Sequence, residues 1–163
     1  MTPSLEYVFT MREYIGSDRA KLTPKSSGPT RLIISVVDGS IKFADSDLEA
    51  QVIPPGGDWP LVNYDTGILH IDARARARTD RGDLYLYYTG TLVMGEGTKK
   101  LLAQAPDAKP TKFGDETWFA HINVETTDQR LKWMEASMLV GQGRWHVDEK
   151  GWAAEYMVYK IKN

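Results

Sequence analysis

The segment from Ile68 to Arg78 places most of the side chains that could do chemistry on one side of a strand, because its residues alternate between apolar and polar types. The polar positions are His70, Asp72, Arg74, Arg76 and Arg78. Residues two apart in a β-strand share a face, with α-carbons about 6.6 Å apart, so Asp72 and Arg74 can form an ion pair. Arg74 would keep Asp72 ionised, and Asp72 could then act as a base or a hydrogen-bond acceptor.

The alternation leaves open whether this polar face lines a pocket or faces water. Runs of charge are typical of solvated surfaces. A three-residue hairpin at residues 80–82 would pair Thr79 with Asp83. Arg74 would then lie beside Tyr88, and the face would have the mixture of aromatic and charged groups found in small-molecule pockets. If the loop were one residue shorter, each side chain of the partner strand would point to the opposite face of the sheet.

A proton donor requires a second carboxyl group without an arginine partner, since burial then raises its pKa. Glu135 is one candidate, because it interrupts an apolar segment that we interpret as a strand from Leu131 to Val140. Glu125 and Asp58 are the other candidates. Glu135 could equally be a glutamate at the rim of the protein that faces water.

Aromatic and histidine side chains complete the predicted site. The electron-rich faces of Trp59, Tyr88 and Trp133 could stabilise a positive charge that develops on a substrate. His70 and His121 are predicted to contact the same ligand, although a single histidine is also typical of a hydrogen-bonded structural position.

The elements that must hold these residues are mostly strands, because the apolar pattern has a period of two. The predicted strands are Leu5–Ile15, Arg31–Val37, Ser40–Phe43, Leu48–Ile53, Ile68–Thr79, Asp83–Met94, Thr117–Glu125, Leu131–Val140, Arg144–Val147 and Ala153–Ile161. One short helix is predicted within Thr98 to Gln104, and Pro106 ends it. Long strands in a small antiparallel protein favour a closed barrel, because closure removes exposed edges. A barrel of about eight strands has room for one small ligand.

Composition excludes several classes of function. The chain has 163 residues and a formal net charge of −2, so it lacks the excess of positive charge that nucleic-acid binding requires. It contains no cysteine, which excludes disulfides, thiol nucleophiles, iron–sulfur clusters and cysteine-ligated zinc. No apolar run is long enough for a membrane-spanning helix, and the start of the chain does not have the pattern of a secretory signal. We therefore expect one cytoplasmic domain over residues 1–163, without a nucleic-acid or membrane partner.

Several short motifs occur in a fixed order along nearly the whole chain. They are Pro54-Pro55-Gly56-Gly57-Asp58-Trp59, Asp72-Ala73-Arg74, Arg78-Thr79-Asp80-x-Gly82, Val124-Glu125-Thr126, Trp133-Met134 and Val140-Gly141-x-Gly143. In this order they resemble a domain-of-unknown-function family of small single-domain barrels from bacteria and fungi. The resemblance implies an all-β, antiparallel, lipocalin-like closed barrel of about eight to ten strands with one short helix.

A fungal branch of that family resembles natural-product enzymes that perform intramolecular hydroalkoxylation, in which a phenol adds to the alkene of a reverse-prenyl group and closes a dihydrobenzofuran ring, as in phenalenone biosynthesis. The resemblance therefore implies a cyclase of secondary metabolism that uses no cofactor and no metal. Its substrate would be an aromatic, prenylated polyketide. Asp72, held by Arg74, would accept or orient the phenol proton, and Glu135, Glu125 or Asp58 would donate a proton to the alkene. A homodimer is a further expectation.

Two other functions are compatible with the sequence. The barrel could bind an apolar small molecule without catalysis, since function resides in the site rather than in the fold. Alternatively, His70 and Asp72, together with His121 or His146, have the composition of a two-histidine, one-carboxylate iron site, as in a metal-dependent oxygenase.

Overall fold

The computed structural model describes residues 2–23 and 28–163, and within them nine antiparallel strands close into a ring. The strands are β1 (Ser4–Leu22), β2 (Thr30–Phe43), β3 (Glu49–Asp58), β4 (Leu61–Asn63), β5 (Ile68–Thr79), β6 (Gly82–Val93), β7 (Trp118–Thr126), β8 (Leu139–Asp148) and β9 (Gly151–Lys162). Their order around the ring is β1-β9-β8-β7-β6-β5-β3-β2, and β2 pairs with β1 to complete it. The short β4 pairs with both β2 and β5. The predicted closed antiparallel barrel is confirmed.

Two short helices cover the barrel. The α-helix α1 (Glu96–Leu102) packs Leu101 into the core, and Leu102 reaches the barrel interior. The 3-10 helix η1 (Gln129–Ala136) follows β7 and buries Leu131 and Met134. In the part of the chain that is described, no helix combines the length and apolar character needed to cross a membrane.

The period-two pattern explains the core, because each strand turns one set of alternate residues inward. In the second half of β5 the inward residues are small, and Ala73, Ala75 and Ala77 are at most 2% exposed. These alanines leave room for the bulky Tyr88, Trp118 and Tyr156 inside the barrel.

The predicted strand from Leu131 to Val140 is wrong over its first half, where η1 forms instead. Asp128 begins η1, because its carboxylate accepts hydrogen bonds from the backbone nitrogen of Arg130 at 3.0 Å and from the Thr79 hydroxyl at 2.6 Å. Thr79, whose hydroxyl holds the capping carboxylate in place, lies on a strand 49 residues away, so the local alternation of residues does not reveal this support.

Candidate active site in the barrel interior

The inward faces of β1, β3, β6, β7, β8 and β9 bring polar and aromatic groups together around a small cavity. The polar lining consists of Glu13 and Asp58, and the aromatic lining consists of Tyr88, Trp118, Trp145 and Tyr156. Apolar side chains form the rest of the wall: Ile15, Ile34, Val36, Pro60, Leu69, Ile71, Leu92, Leu102 and Ala154. Carboxyl groups enclosed by an apolar wall are typical of sites that perform proton transfer.

The cavity measures only about 30 Å³, which is space for one or two water molecules. The expectation of a lumen that already fits a bulky ligand is therefore wrong for this conformation. Aromatic rings occupy the interior: the ring centroids of Trp118 and Trp145 are 4.8 Å apart, and Tyr156 lies 5.4 Å from Trp118 and 5.5 Å from Tyr88.

Glu13 is the most enclosed acid of this site, with an exposed fraction of 1%. Its Oε2 accepts a hydrogen bond from the hydroxyl of Tyr88, whereas its Oε1 is buried and has no hydrogen-bond partner among the described residues. Burial raises the pKa of Glu13 to about 7, against the opposing effect of the Tyr88 hydrogen bond, and the nearby charge of Asp58 raises it further. Glu13 can therefore carry a proton near neutral pH, and its free oxygen can present that proton to a ligand.

Asp58 ends β3 at the same cavity and is the one predicted proton donor that the structure places there. Its Oδ1 accepts a hydrogen bond from the backbone nitrogen of Asp72 at 3.0 Å. Burial raises the pKa of Asp58 to about 7, although the backbone hydrogen bond and the positive charge of Arg31 oppose the rise. The Asp58 residue as a whole is only partly buried, whereas Glu13 is fully buried. Water therefore screens the charge of Asp58 better than that of Glu13.

Of the two orientations that the alternation left open for Asp72 and Arg74, the structure has the outward one, because the alanine face of β5 occupies the interior. These two residues therefore do not line the barrel interior, where the sequence analysis expected the catalytic pair. The turn between β5 and β6 has two residues rather than three, so Thr79 pairs with Gly82. Arg74 therefore pairs with Tyr87, on the outer face, and not with the inward Tyr88. On that face Arg74 donates to Asp72 at 3.0 Å, and its guanidinium lies 4.7 Å from the centroid of the Tyr87 ring.

The two predicted glutamate donors also lie outside the barrel, so the interior assignment is wrong for both. Glu125 is exposed on the outer face of β7. Glu135 lies on η1, where its Oε1 accepts from Lys132 at 2.9 Å and from the backbone nitrogen of Thr126 at 2.8 Å. The Lys132 hydrogen bond lowers the pKa of Glu135, so this side chain is a poor proton donor at neutral pH.

Of the five predicted binding residues, the structure places only Tyr88 at the interior cavity. Trp59 stacks under the outward Arg74, at 5.8 Å between the guanidinium carbon and the ring centroid. Trp133 lies on η1, with the Lys160 ammonium 5.4 Å from its ring centroid. His70 and His121 belong to the outer faces of β5 and β7, where Thr91 and Thr89 are their respective partners on β6.

Arg74, Glu125 and Glu135 do meet in one place, an open cleft of about 920 Å³ on the outer surface. Its charged groups are paired with each other, for example Arg76 with Asp83 at 3.1 Å. This cleft is open to water, and hydrogen bonds from Arg78 and Lys132 lower the pKa values of its Asp83 and Glu135 carboxyl groups, which is the opposite of what proton donation requires.

The described residues do not form the two-histidine, one-carboxylate iron site that the sequence allowed. Among residues 2–23 and 28–163, no group of three or more histidine, cysteine, aspartate or glutamate side chains could hold a metal ion. His146 is bound instead to Asp148, with Nε2 to Oδ2 at 3.0 Å, and Asp148 also accepts from Tyr14 at 2.6 Å.

Glu13 is the candidate site residue that the sequence analysis missed. The signal was present in β1, where Phe9, Met11, Glu13 and Ile15 share one face of the alternation. A glutamate at an inward position of an apolar strand predicts a buried carboxyl group.

With this geometry established, comparison with known proteins gives the family. A family model described as "Protein of unknown function (DUF3237)" matches residues 3–161. The chain belongs to the DUF3237 family. No curated protein matches it significantly.

Solved structures with the fold of this DUF3237 chain come from bacteria and from a fungus. A conserved protein of unknown function from Rhodopseudomonas palustris is 21% identical, with a TM-score of 0.82 and 99% of each chain covered. A β-barrel-like protein from Acinetobacter baumannii is 24% identical, with a TM-score of 0.74, covering 99% of this chain and 98% of its own. A protein described as an enzyme from Penicillium herquei is 15% identical, with a TM-score of 0.64, covering 99% of this chain and 96% of its own. At these identities the likeness shows the fold alone.

Proposed function

We propose that this protein is a cofactor-independent enzyme that catalyses an intramolecular cyclisation in the barrel interior. One observation carries the proposal: Glu13 is buried, its Oε1 has no partner among the described residues, and a second carboxyl group, Asp58, lines the same cavity. A fully enclosed oxygen without a partner is costly, and such groups are concentrated at functional sites.

The two carboxyl groups suit an acid and a base that work together. Arg31 favours the charged form of Asp58, whereas no cation among residues 2–23 and 28–163 opposes the protonation of Glu13. Glu13 is therefore assigned as the acid and Asp58 as the base. The Tyr88 hydroxyl, which donates to the other oxygen of Glu13, stabilises the carboxylate that remains after the proton has left.

The proposed reaction is the hydroalkoxylation that the family resemblance implies, in a substrate that carries a phenol and a reverse-prenyl alkene. Glu13 donates its proton to the terminal alkene carbon, and positive charge develops on the internal carbon. The phenol oxygen bonds to that carbon and releases its proton to Asp58. Proton exchange between the two acids restores the enzyme, and the product is an isomer of the substrate.

The aromatic wall supports this chemistry. The rings of Tyr88, Trp118 and Tyr156 can stabilise the cationic carbon and exclude water that would compete with the phenol. Because both reacting groups belong to one molecule, holding them in a reactive conformation could supply up to roughly 7–11 kcal/mol of the rate enhancement. The description of the Penicillium herquei protein with this fold as an enzyme supports a catalytic role.

A substrate of this size must displace side chains at the end of the barrel near α1. Leu102 reaches the cavity from α1, and Trp145 connects the cavity wall to α1 through a 2.7 Å hydrogen bond to the Thr98 hydroxyl. Thr98 in turn donates to Glu116 at 2.6 Å. Movement of α1 would therefore shift Leu102 and Trp145 together.

The test is turnover of a reverse-prenylated phenol by the wild-type protein and by Glu13→Gln, Asp58→Asn and Tyr88→Phe, with product measured by chiral chromatography. We expect Glu13→Gln and Asp58→Asn each to reduce kcat by 100-fold or more. Glu125→Gln is the matched control, because it removes an exposed carboxylate from the outer face, and it should retain wild-type turnover. Wild-type turnover by both interior variants would contradict the proposal.

The second candidate function is a binding protein that holds a small apolar molecule without converting it. The mainly apolar wall of the interior cavity favours this alternative. The same assay separates the two functions, since a carrier would bind the phenol and release it unchanged.

A further inference from the structure

Arg19 lies at the α1 end of the barrel in an unusual environment for an arginine. It pairs with Ile34 across the β1–β2 ladder, and the side chain of Ile34 points into the core. Residues directly opposite each other in a ladder point to the same side, so Arg19 is on the inward side of β1. Its Nη1 donates to the backbone oxygen of Leu101, near the end of α1, at 3.3 Å.

The guanidinium of Arg19 is only partly paired with the residues that the structure describes. Its Nε is buried and has no hydrogen-bond partner among the described residues, and within that part of the chain no carboxylate forms an ion pair with it. Residues 24–27 contain no aspartate or glutamate that could supply one. The Nε and Nη2 edge of an arginine is the edge that binds a carboxylate with two parallel hydrogen bonds.

Arg19 is positioned between the outside and the proposed site. It lines a cleft of about 640 Å³ together with Ile15, Leu101 and Trp152. Ile15 also lines the interior cavity that contains Glu13 and Asp58. The cleft and the cavity are therefore adjacent, and the movement of α1 that would open the cavity would also uncover the Nε of Arg19.

We propose that the substrate is an anionic aromatic molecule whose carboxylate, or an equivalent charged oxygen, is bound by the Nε and Nη2 edge of Arg19 at the mouth of the barrel. This inference rests on the interior site of the proposed function, and it names the class of substrate that the site selects. The aromatic part extends past Ile15 into the ring-lined interior. A proton-bearing Glu13 is compatible with this ligand, because a neutral acid does not repel an anion.

The experiment compares two probes of the same shape, 2-naphthoate and 2-naphthylmethanol, by isothermal titration calorimetry at pH 7. We expect the wild-type protein to bind the carboxylate at least ten-fold more tightly than the alcohol. Arg19→Gln should abolish this preference without changing the affinity for the alcohol. Arg19→Lys keeps the charge but loses the paired geometry, so it should restore only part of the preference. Arg81→Gln removes an equally charged, 69% exposed side chain at the β5–β6 hairpin and should behave as the wild type.

The outcomes separate the inference from the function on which it rests. Equal affinity of the wild-type protein for both probes, or equal weakening of both probes by Arg19→Gln, would overturn the role of Arg19 while leaving an interior site for neutral ligands. Binding of neither probe to the wild-type protein would overturn the inference and the interior ligand site together. A preference that depends on Arg19, in a protein that does not turn over the reverse-prenylated phenol, would support the inference and contradict the cyclase.

Discussion

The buried Glu13 predicts an inverse dependence of stability on pH, which the variant Glu13→Gln should remove. Glutamine has nearly the same shape and can still accept the hydrogen bond from Tyr88, but it cannot ionise. In the folded protein the pKa of Glu13 rises from its ordinary 4.5 to about 7. At about 1.4 kcal/mol for each factor of ten, this rise corresponds to roughly 3 kcal/mol.

The sign follows from proton binding. Between pH 4.5 and about 7 the folded state holds a proton on Glu13 that the unfolded state has lost, so the free energy of unfolding decreases as the pH rises. Above about pH 8 Glu13 is ionised in both the folded and the unfolded state, and the free energy of unfolding no longer decreases on its account. Relative to the wild-type protein, Glu13→Gln should therefore gain about 3 kcal/mol of stability between pH 4.5 and pH 8.

The assay is urea denaturation of both proteins at half-unit pH intervals, with the difference in the free energy of unfolding plotted against pH. Taking the difference cancels the titrating groups that do not interact with Glu13, so the remaining slope reports Glu13 together with its coupling to Asp58. Glu125→Gln serves as the control, and its difference from the wild type should remain flat. A flat difference for Glu13→Gln as well would show that Glu13 ionises normally in the folded state, and the assignment of Glu13 as a proton donor would be refuted.

Three further predictions concern the walls and the surface of the barrel. A Cβ at Gly143 would lie 2.4 Å from the ring of Trp118, so Gly143→Ala should lower the free energy of unfolding by about 1–3 kcal/mol in urea denaturation. Asp128→Ala removes the cap of η1 and should cost about 2 kcal/mol, measured in the same way; an unchanged midpoint would show that the cap contributes nothing. Asp72→Asn and Arg74→Gln break an exposed ion pair, so each should change stability by less than about 1 kcal/mol and leave turnover at the wild-type level. A large loss of turnover in either variant would indicate that the active site lies on the outer face of the barrel and not in its interior.

Local patterns were sufficient for most of the secondary structure. The alternation of apolar residues predicted β5 at its observed bounds, and α1 was predicted within two residues at each end. It also predicted correctly that the alanines and the charged residues of β5 occupy opposite faces, since that separation depends only on the period of a strand. The start of η1 was missed because the alternation in Leu131–Val140 was interpreted as a strand, and the Thr79 hydroxyl that holds the Asp128 cap in place comes from a distant strand.

The site itself was decided by tertiary structure. The two-residue turn made Arg74 pair with Tyr87 rather than with Tyr88, and the sequence does not fix a loop length to one residue. Closure of the barrel with the alanine face of β5 inside placed Asp72 and Arg74 on the surface. Glu13 and Asp58 come from β1 and β3, and only closure of the ring directs both toward one cavity. Their raised pKa values arise mainly from that enclosure, because the surrounding chain has removed water from each carboxyl group. The sequence by itself determined which residues share a face of each strand; the curvature and register of the closed barrel decided which face became the interior.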